Sequence, residues 1–249
     1  MNILIMVILA FFLDLLLGDP HSWPRPVKAM GHLIACLTKH FNRPNYSVKR
    51  KKWLGALTWL ITVGGSGLIT YIVMRFAAIN YYLYMIVGTY LCYTCLSMRQ
   101  FGQLKSRCPE FMKSLQQNNL NKARQQVGMI VGRDTNQLSA EEVTKATIET
   151  VAENTSDGVI APLFFLVIGG PVLGIMYKAI NTLDSMIGYQ NEKFRAFGEV
   201  SARIDDIANY VPARITWLLL IISSWLLRDD TREAIAVGER DCEKHLSPN

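Results

Sequence analysis

The sequence predicts an all-α, polytopic integral membrane protein, on three observations. Hydrophobic residues fill 50% of its 249 positions and charged residues 18%, for a mean hydropathy of +0.17. The apolar residues are gathered into long blocks, and the blocks are separated by polar stretches dense in charge. Runs of about 18 or more apolar residues match a bilayer core, whereas runs of about 10 to 14 suit a buried helix of a soluble protein.

Taken in order, residues 3–17 are broken only by Asp14, while 53–74 and 81–98 carry no charge at all. Residues 159–177 and 211–227 follow, the last interrupted only by Arg214. The whole chain, 1–249, reads as one membrane-embedded domain with about four to five segments, near 3–18, 53–76, 80–98, 159–177 and 210–227. Polar loops at 19–52, 99–157 and 178–209 lie between them.

The first segment lacks the basic start and small-residue cleavage site of a signal peptide and is read as retained. Five cysteines give no disulfide framework, and Cys92-x-x-Cys95 inside an apolar helix is read as packing. Net charge is +6, and residues 19–52 hold eight Lys or Arg against one acid. With no aromatic interleaving and no known binding motif, that excess does not point to nucleic acid. It reads as a cytoplasmic loop under the positive-inside rule, with Trp53 at the interface.

Segments 53–76 and 80–98 form a hairpin, and Gly64, Gly65, Ser66 and Gly67 let helices approach closely within it. Residues 99–157 hold eight basic and seven acidic residues. Within them, 109–130 is a helical stretch broken near Gln116 to Asn119, and 132–135 is a loop. Ser139-x-x-Glu142 is a capping box that opens a helix, and Leu138 with Val143 supplies the hydrophobic staple. On that helix Glu142, Glu149 and Glu153 share one face, with Val143, Thr147, Ile148 and Val151 on the other. The spacing fits a solvated polar face and a Mg²⁺ site equally, since Mg²⁺ takes oxygen ligands and often bridges a carboxylate to a phosphate.

Gly169-Gly170-Pro171 interrupts the next segment, which is therefore either a kinked span or a re-entrant hairpin. A full span would put 178–209 on the far side; a hairpin would return them to the side of 131–157. Lys178, Asn181 and Asp184 or Ser185 recur there at helical spacing, as do Glu199, Arg203 and Asp206, with Asp205 alongside. Ionisable residues next to or within membrane segments are costly and default to a functional reading, and Asp14 falls under the same rule.

These motifs resemble the membrane-bound adenosylcobinamide-phosphate synthases of cobalamin biosynthesis, the CobD/CbiB family. The resemblance rests on LDLLLGDP (13–20), RPVKAMGHLI (25–34), VGRDT (131–135), ETVAENTSDGVIAPLFF (149–165), YKAINTLDSMIGY (177–189) and FGEVSARIDDIANYVPARIT (197–216). It covers nearly the whole chain in order. Two departures stand out. Arg25-Pro26-Val27-Lys28 replaces the family's usual His-Pro-Val-Arg, and Ser247-Pro248-Asn249 matches the start of a Gly-rich motif. In the family that motif leads into a further membrane region of about sixty residues.

The resemblance implies an ATP- and Mg²⁺-dependent acid–amine ligase. The carboxylate of adenosylcobyric acid is joined to (R)-1-amino-2-propanol or its O-phosphate, giving adenosylcobinamide or its phosphate. It implies a multi-pass protein of the cell (inner) membrane whose partners are the corrinoid, the amino alcohol and the lipid bilayer, with a second copy or other corrinoid-pathway enzymes left open. Catalytic roles then fall to Glu153, Asp184, Asp205 and Asp206, and the metal to Glu149, Glu153 and Asp157. Substrate and phosphate contacts fall to Asp19, Arg133, Asp134, Thr135, Asn154, Lys178, Asn181 and Arg203. No Walker motif is present, so the nucleotide site is of another kind. A transporter, suggested by the broken helix and buried aspartates, and a non-catalytic membrane scaffold are the competing readings.

Overall fold

The computed structural model describes residues 2–18, 25–97, 113–114, 119–128, 135–228, 231–232 and 235–236. Its elements are helices: α1 (Asn2–Leu17), α2 (Pro26–Phe41), α3 (Val48–Trp59), α4 (Gly65–Ala77), α5 (Tyr81–Cys95), α6 (Leu120–Gly128), α7 (Ala140–Thr155), α8 (Ala161–Ile187) and α9 (Glu199–Leu227). Among the described residues there is no strand. Helix α3 runs into α4 through a π-helical turn at Leu60–Gly64, and α7 into α8 through another at Ser156–Ile160.

By length and composition three helical runs are long and apolar enough to cross a membrane, Val48–Ala77, Ala140–Ile187 and Glu199–Leu227, although the second is broken at Gly169-Gly170. Helices α1 and α5 are shorter, at 16 and 15 residues, or about 24 and 23 Å at 1.5 Å per residue. The outward faces are apolar: Leu16, Ile69, Phe76, Ile79 and Trp225 are all more than 60% exposed. In water such a surface would be a liability. Against lipid tails it is the expected exterior, and the protein is an integral membrane protein.

The core lies between α1, α5 and α8, where Met6, Ile34, Cys92, Leu166, Leu183 and Phe197 are fully buried. Cys92 and Cys95 belong to this packing, and the Cys95 thiol donates to the Leu91 carbonyl at 3.3 Å. Helix α2 starts with Pro26 in its first turn and lays Met30 and Ile34 against the core. Tyr93 of α5 donates its hydroxyl to the Gly18 carbonyl, which pins the end of α1 to α5.

The decisive element is α8, whose backbone folds back on itself. Gly169 (φ −133°, ψ 17°) and Gly170 (φ 61°, ψ −154°) leave helical geometry just before Pro171. The Gly170 conformation is one that essentially only glycine adopts. The entering arm, 161–168, and the returning arm, 171–187, therefore run side by side. Phe165 and Tyr177 stack at 4.9 Å between centroids, where a straight helix would hold them about 18 Å apart. The turn makes a re-entrant hairpin, and Leu166 of one arm packs into the space left by Gly174 of the other.

Both ends of the hairpin consequently open at one end of the bundle, and other contacts gather there. Asn42 donates to the Lys193 carbonyl at 2.9 Å, and Lys52 forms an ion pair with Glu199 at the start of α9. Gly55 lets the Phe197 backbone rest directly on α3, where any Cβ would collide with the Phe197 carbonyl.

Helix α7 begins as the sequence indicates. The Ser139 hydroxyl accepts from the Glu142 amide at 3.2 Å, and the Glu142 carboxylate accepts from the Ser139 amide at 2.7 Å. Leu138 packs against Val143, Ala146, Ala123 and Val127, so α6 and α7 form a small second core. The buried face of α7 is Val143, Ala146, Thr147 and Thr150. Ile148 does not share it: the residue is 65% exposed, because packing on α6 selects a face rotated away from it.

Candidate functional site

The site grows from the mouth of the hairpin. Asp157 sits in the π-helical turn at its entrance, and Asn181 on the returning arm donates its side-chain amide to Asp157 Oδ2 at 3.1 Å. Asp184 follows Asn181 by one turn, and Lys178 precedes it by one. Lys178 donates to the Ser97 hydroxyl at 3.4 Å, and the Ser97 amide donates to the Gly158 carbonyl at 3.2 Å. Ser97, at the end of α5, thus holds both arms together.

Two further elements add charge. Helix α7 carries Glu149 and Glu153 on its exposed face, and α9 carries Asp205, buried, and Asp206, half-buried. The Asp157 carboxylate lies in the field of Glu153 and Asp184, with Lys178 as the opposing charge. Asp184 interacts with Asp206 and Glu153, and Asp205 with Asp184, Asp157 and Asp206. Glu153, on polar α7 ahead of the apolar stretch, has its carboxyl pushed above the ordinary value by desolvation and then by the Glu149 charge. Such a gathering of partly desolvated carboxylates is held together at lowest cost when cations enter it.

Beneath the carboxylates runs a buried polar chain. Ser201, Asp205, Asn209, Pro212 and Thr216 form the inner stripe of α9, at spacings of four, four, three and four. The Tyr177 hydroxyl donates to Asn209 Oδ1 at 2.9 Å, and Asn209 donates through Nδ2 to Asp205 Oδ2 at 2.9 Å. Asp205 is 5% exposed, and its other oxygen, Oδ1, is buried without a hydrogen-bond partner among the described residues. The Ser156 and Ser201 hydroxyls are in the same condition.

Of the residues singled out in the sequence, Glu153, Asp157, Lys178, Asn181, Asp184, Asp205 and Asp206 are brought together, with Glu149 beside Glu153. Arg203 points elsewhere: its side chain is 75% exposed and its guanidinium bonds Glu199 at 2.8 Å. Asn154 donates back to the Thr150 carbonyl at 2.8 Å. Thr135 is buried and donates to the Arg124 carbonyl at 2.9 Å, closing the turn before α7. Asp19, Arg133 and Asp134 lie outside the described residues. Tyr177, Asn209 and Ser97 were not singled out by sequence. The four-residue step from Asp205 to Asn209 was a usable signal; the Ser97 contact, which joins positions 81 apart, was not.

No three Asp, Glu, His or Cys side chains among the described residues converge tightly enough to hold a metal ion unaided. Mg²⁺ is commonly held by one or two carboxylates completed by phosphate oxygens and water, which asks for fewer protein ligands. Asp157, with Glu153 or Asp184, offers that donor set, and Lys178 offers a cation for phosphate.

A helical membrane protein with a re-entrant, carboxylate-mouthed hairpin is the class that fold and site define. The family model described as CobD/Cbib protein matches residues 7–249. A cobalamin biosynthesis protein CobD from Listeria monocytogenes serotype 4b (strain F2365) is 53% identical over 241 residues, 96% of this chain and 75% of that protein. CobD of Streptococcus sanguinis (strain SK36) is 47% identical over 247 residues, covering 99% and 76%. The cobalamin biosynthesis protein CbiB of Salmonella arizonae (strain ATCC BAA-731 / CDC346-86 / RSK2980) is 44% identical over 242 residues, covering 97% and 75%. The chain belongs to the CobD/CbiB family of cobalamin biosynthesis proteins. No solved structure matches it.

Proposed function

We propose that the chain is an ATP- and Mg²⁺-dependent ligase that joins adenosylcobyric acid to (R)-1-amino-2-propanol or its O-phosphate. The product is adenosylcobinamide or adenosylcobinamide phosphate. The observation that carries this reading is the meeting of Asp157, Asn181, Asp184 and Lys178 at the hairpin mouth, beside Asp205 and Asp206.

A carboxylate does not react with an amine in water until it is activated, and transfer of a phosphoryl group from ATP is a direct way to activate it. Phosphoryl transfer depends chiefly on positioning and on neutralising charge. Mg²⁺, when bound, would supply that neutralisation at the phosphates. Asp157 and Glu153 are the residues to hold it, Lys178 faces a phosphate oxygen, and Asn181 fixes the Asp157 carboxylate. Asp184 and Asp206 are the remaining acids within reach of the same space.

The mouth opens on the end of the bundle that carries Lys49, Arg50, Lys51 and Lys52. Under the positive-inside rule this is the cytoplasmic end of a multi-pass protein of the cell membrane, where ATP is available.

The test is direct. Purified protein in lipid nanodiscs is given adenosylcobyric acid, the amine, ATP and Mg²⁺, and product is followed by mass spectrometry alongside phosphate release. Product should require all four components. Corrinoid flux into liposomes without ATP and amine consumption would replace the ligase with a transporter.

A further inference from the structure

We propose that the chain Tyr177–Asn209–Asp205 is a built receptor for a primary ammonium group, and so is the subsite that takes the amino alcohol. The inference rests on the ligase reading and goes beyond it by naming where the amine binds and which buried residues present that site.

Three features carry it. First, Asp205 is 95% buried, being 5% exposed, yet Oδ1 has no hydrogen-bond partner among the described residues, although a carboxylate oxygen can accept two. A buried, unfilled acceptor of this kind is costly and calls for an explanation. Second, its orientation is imposed: Oδ2 is taken by Asn209, and Asn209 is itself fully buried and fixed by Tyr177. Tyr177 is fully buried and stacks on Phe165 with the rings 13° from parallel, so both arms of the hairpin set the position of one α9 carboxylate. Third, Asp205 lies in the field of Asp157 and Asp184, the acids at the hairpin mouth.

The chemistry of that oxygen selects its ligand. A fixed carboxylate oxygen with no donor of its own suits an ammonium, whose polar hydrogens are all donors. It suits a divalent cation poorly, since Mg²⁺ wants octahedral oxygens and keeps its waters. The hydroxyl of Ser201, one turn before Asp205 on the same buried stripe and also unfilled among the described residues, adds a short neutral group of the kind that bonds an alcohol. Asn209 and Tyr177 act through Asp205 and are positioning residues.

The experiment uses the protein in nanodiscs, with Asp205→Asn, which keeps the shape and removes the charge, and Tyr177→Phe, which keeps the ring stack and removes one hydrogen bond. Binding of 1-amino-2-propanol is read by ligand-observed NMR without ATP, against 1,2-propanediol as the neutral control. Ligation kinetics are read separately. Asp205→Asn should weaken amine binding and raise the amine KM by about tenfold or more, with the ATP KM and the Mg²⁺ dependence unchanged. Tyr177→Phe should give a smaller rise in the amine KM alone. An unchanged amine KM in folded Asp205→Asn overturns the proposal, as does a shift in Mg²⁺ dependence, which would make Asp205 a metal ligand. Should Asp205→Asn fail to fold, an unaltered amine KM in Tyr177→Phe overturns it equally. Asp205-dependent amine binding in a protein that forms no amide would leave the subsite standing and remove the ligase reading; ligation with Asp205-independent binding would do the reverse.

Discussion

Asn181 and Asp157 stand 24 positions apart in the chain and meet at 3.1 Å. In a straight helix they would be about 36 Å apart, more than the roughly 30 Å thickness of the hydrocarbon core. One hydrogen bond thus records that the apolar stretch between them turns back.

The turn depends on Gly170 holding φ at 61° with ψ at −154°. Gly170→Ala should cost about 1 to 3 kcal/mol, the range for a side chain forced into such a region. The melting temperature in detergent should fall accordingly, and ligation should fall further than stability because the mouth residues are set by the turn. A melting curve superposable on that of the parent would count against strain at this position.

Lys178 is the cation that Asp157 shares at the mouth. Lys178→Met should raise the ATP KM about tenfold or more, as expected for loss of a charge-assisted contact to phosphate. Arg203→Ala, by contrast, removes an exposed guanidinium already engaged by Glu199. It should leave the ATP KM within about twofold and change stability by less than about 1 kcal/mol. Equal losses in both variants would return Arg203 to the site.

Metal binding should depend on pH through Glu153. Its carboxyl is pushed above the ordinary value, so it keeps its proton to higher pH and the proton competes with the metal over that wider range. Mn²⁺ affinity, followed by electron paramagnetic resonance with ATP present, should therefore strengthen as pH rises through the carboxylate range and then level off. Glu153→Gln should bind more weakly and flatten that profile. A profile identical to that of the parent protein would remove Glu153 from the metal.

The capping box on α7 should behave as an independent local device. Ser139→Ala should cost about 1 kcal/mol and speed amide exchange in the first turn of α7. Amine and ATP KM values should stay as they are, since Glu149 and Glu153 lie at the other end of that helix.

The features legible in the sequence are those written in local spacing. The apolar blocks, the Ser139–Glu142 box and the packing character of Cys92 and Cys95 needed only neighbours a few residues away. Gly169-Gly170-Pro171 marked where the helix would break, but a kink and a reversal have the same composition; the backbone angles at Gly170 separate them. Asp205 and Asp206 are adjacent, so sequence could nominate both and not say which is buried. The answer comes from the polar stripe at 201, 205 and 209, which became meaningful only once α9 lay against the hairpin. Ile148 lies off the buried face for a related reason: packing on α6 takes Val143 and Ala146 inward and leaves Ile148 exposed. Arg203 looked like a phosphate ligand by residue type, and its pairing with Glu199 four residues away was the simpler reading of the same spacing.

The reversal at Gly170 also fixes a parity. A segment that turns back changes no sides, so everything following it emerges where the segment began. Had the same residues run straight through, α9 would traverse the bilayer in the opposite sense, and Asp205 would be separated from Asp157 by the full membrane. Two glycines therefore decide which groups in this protein share an aqueous compartment.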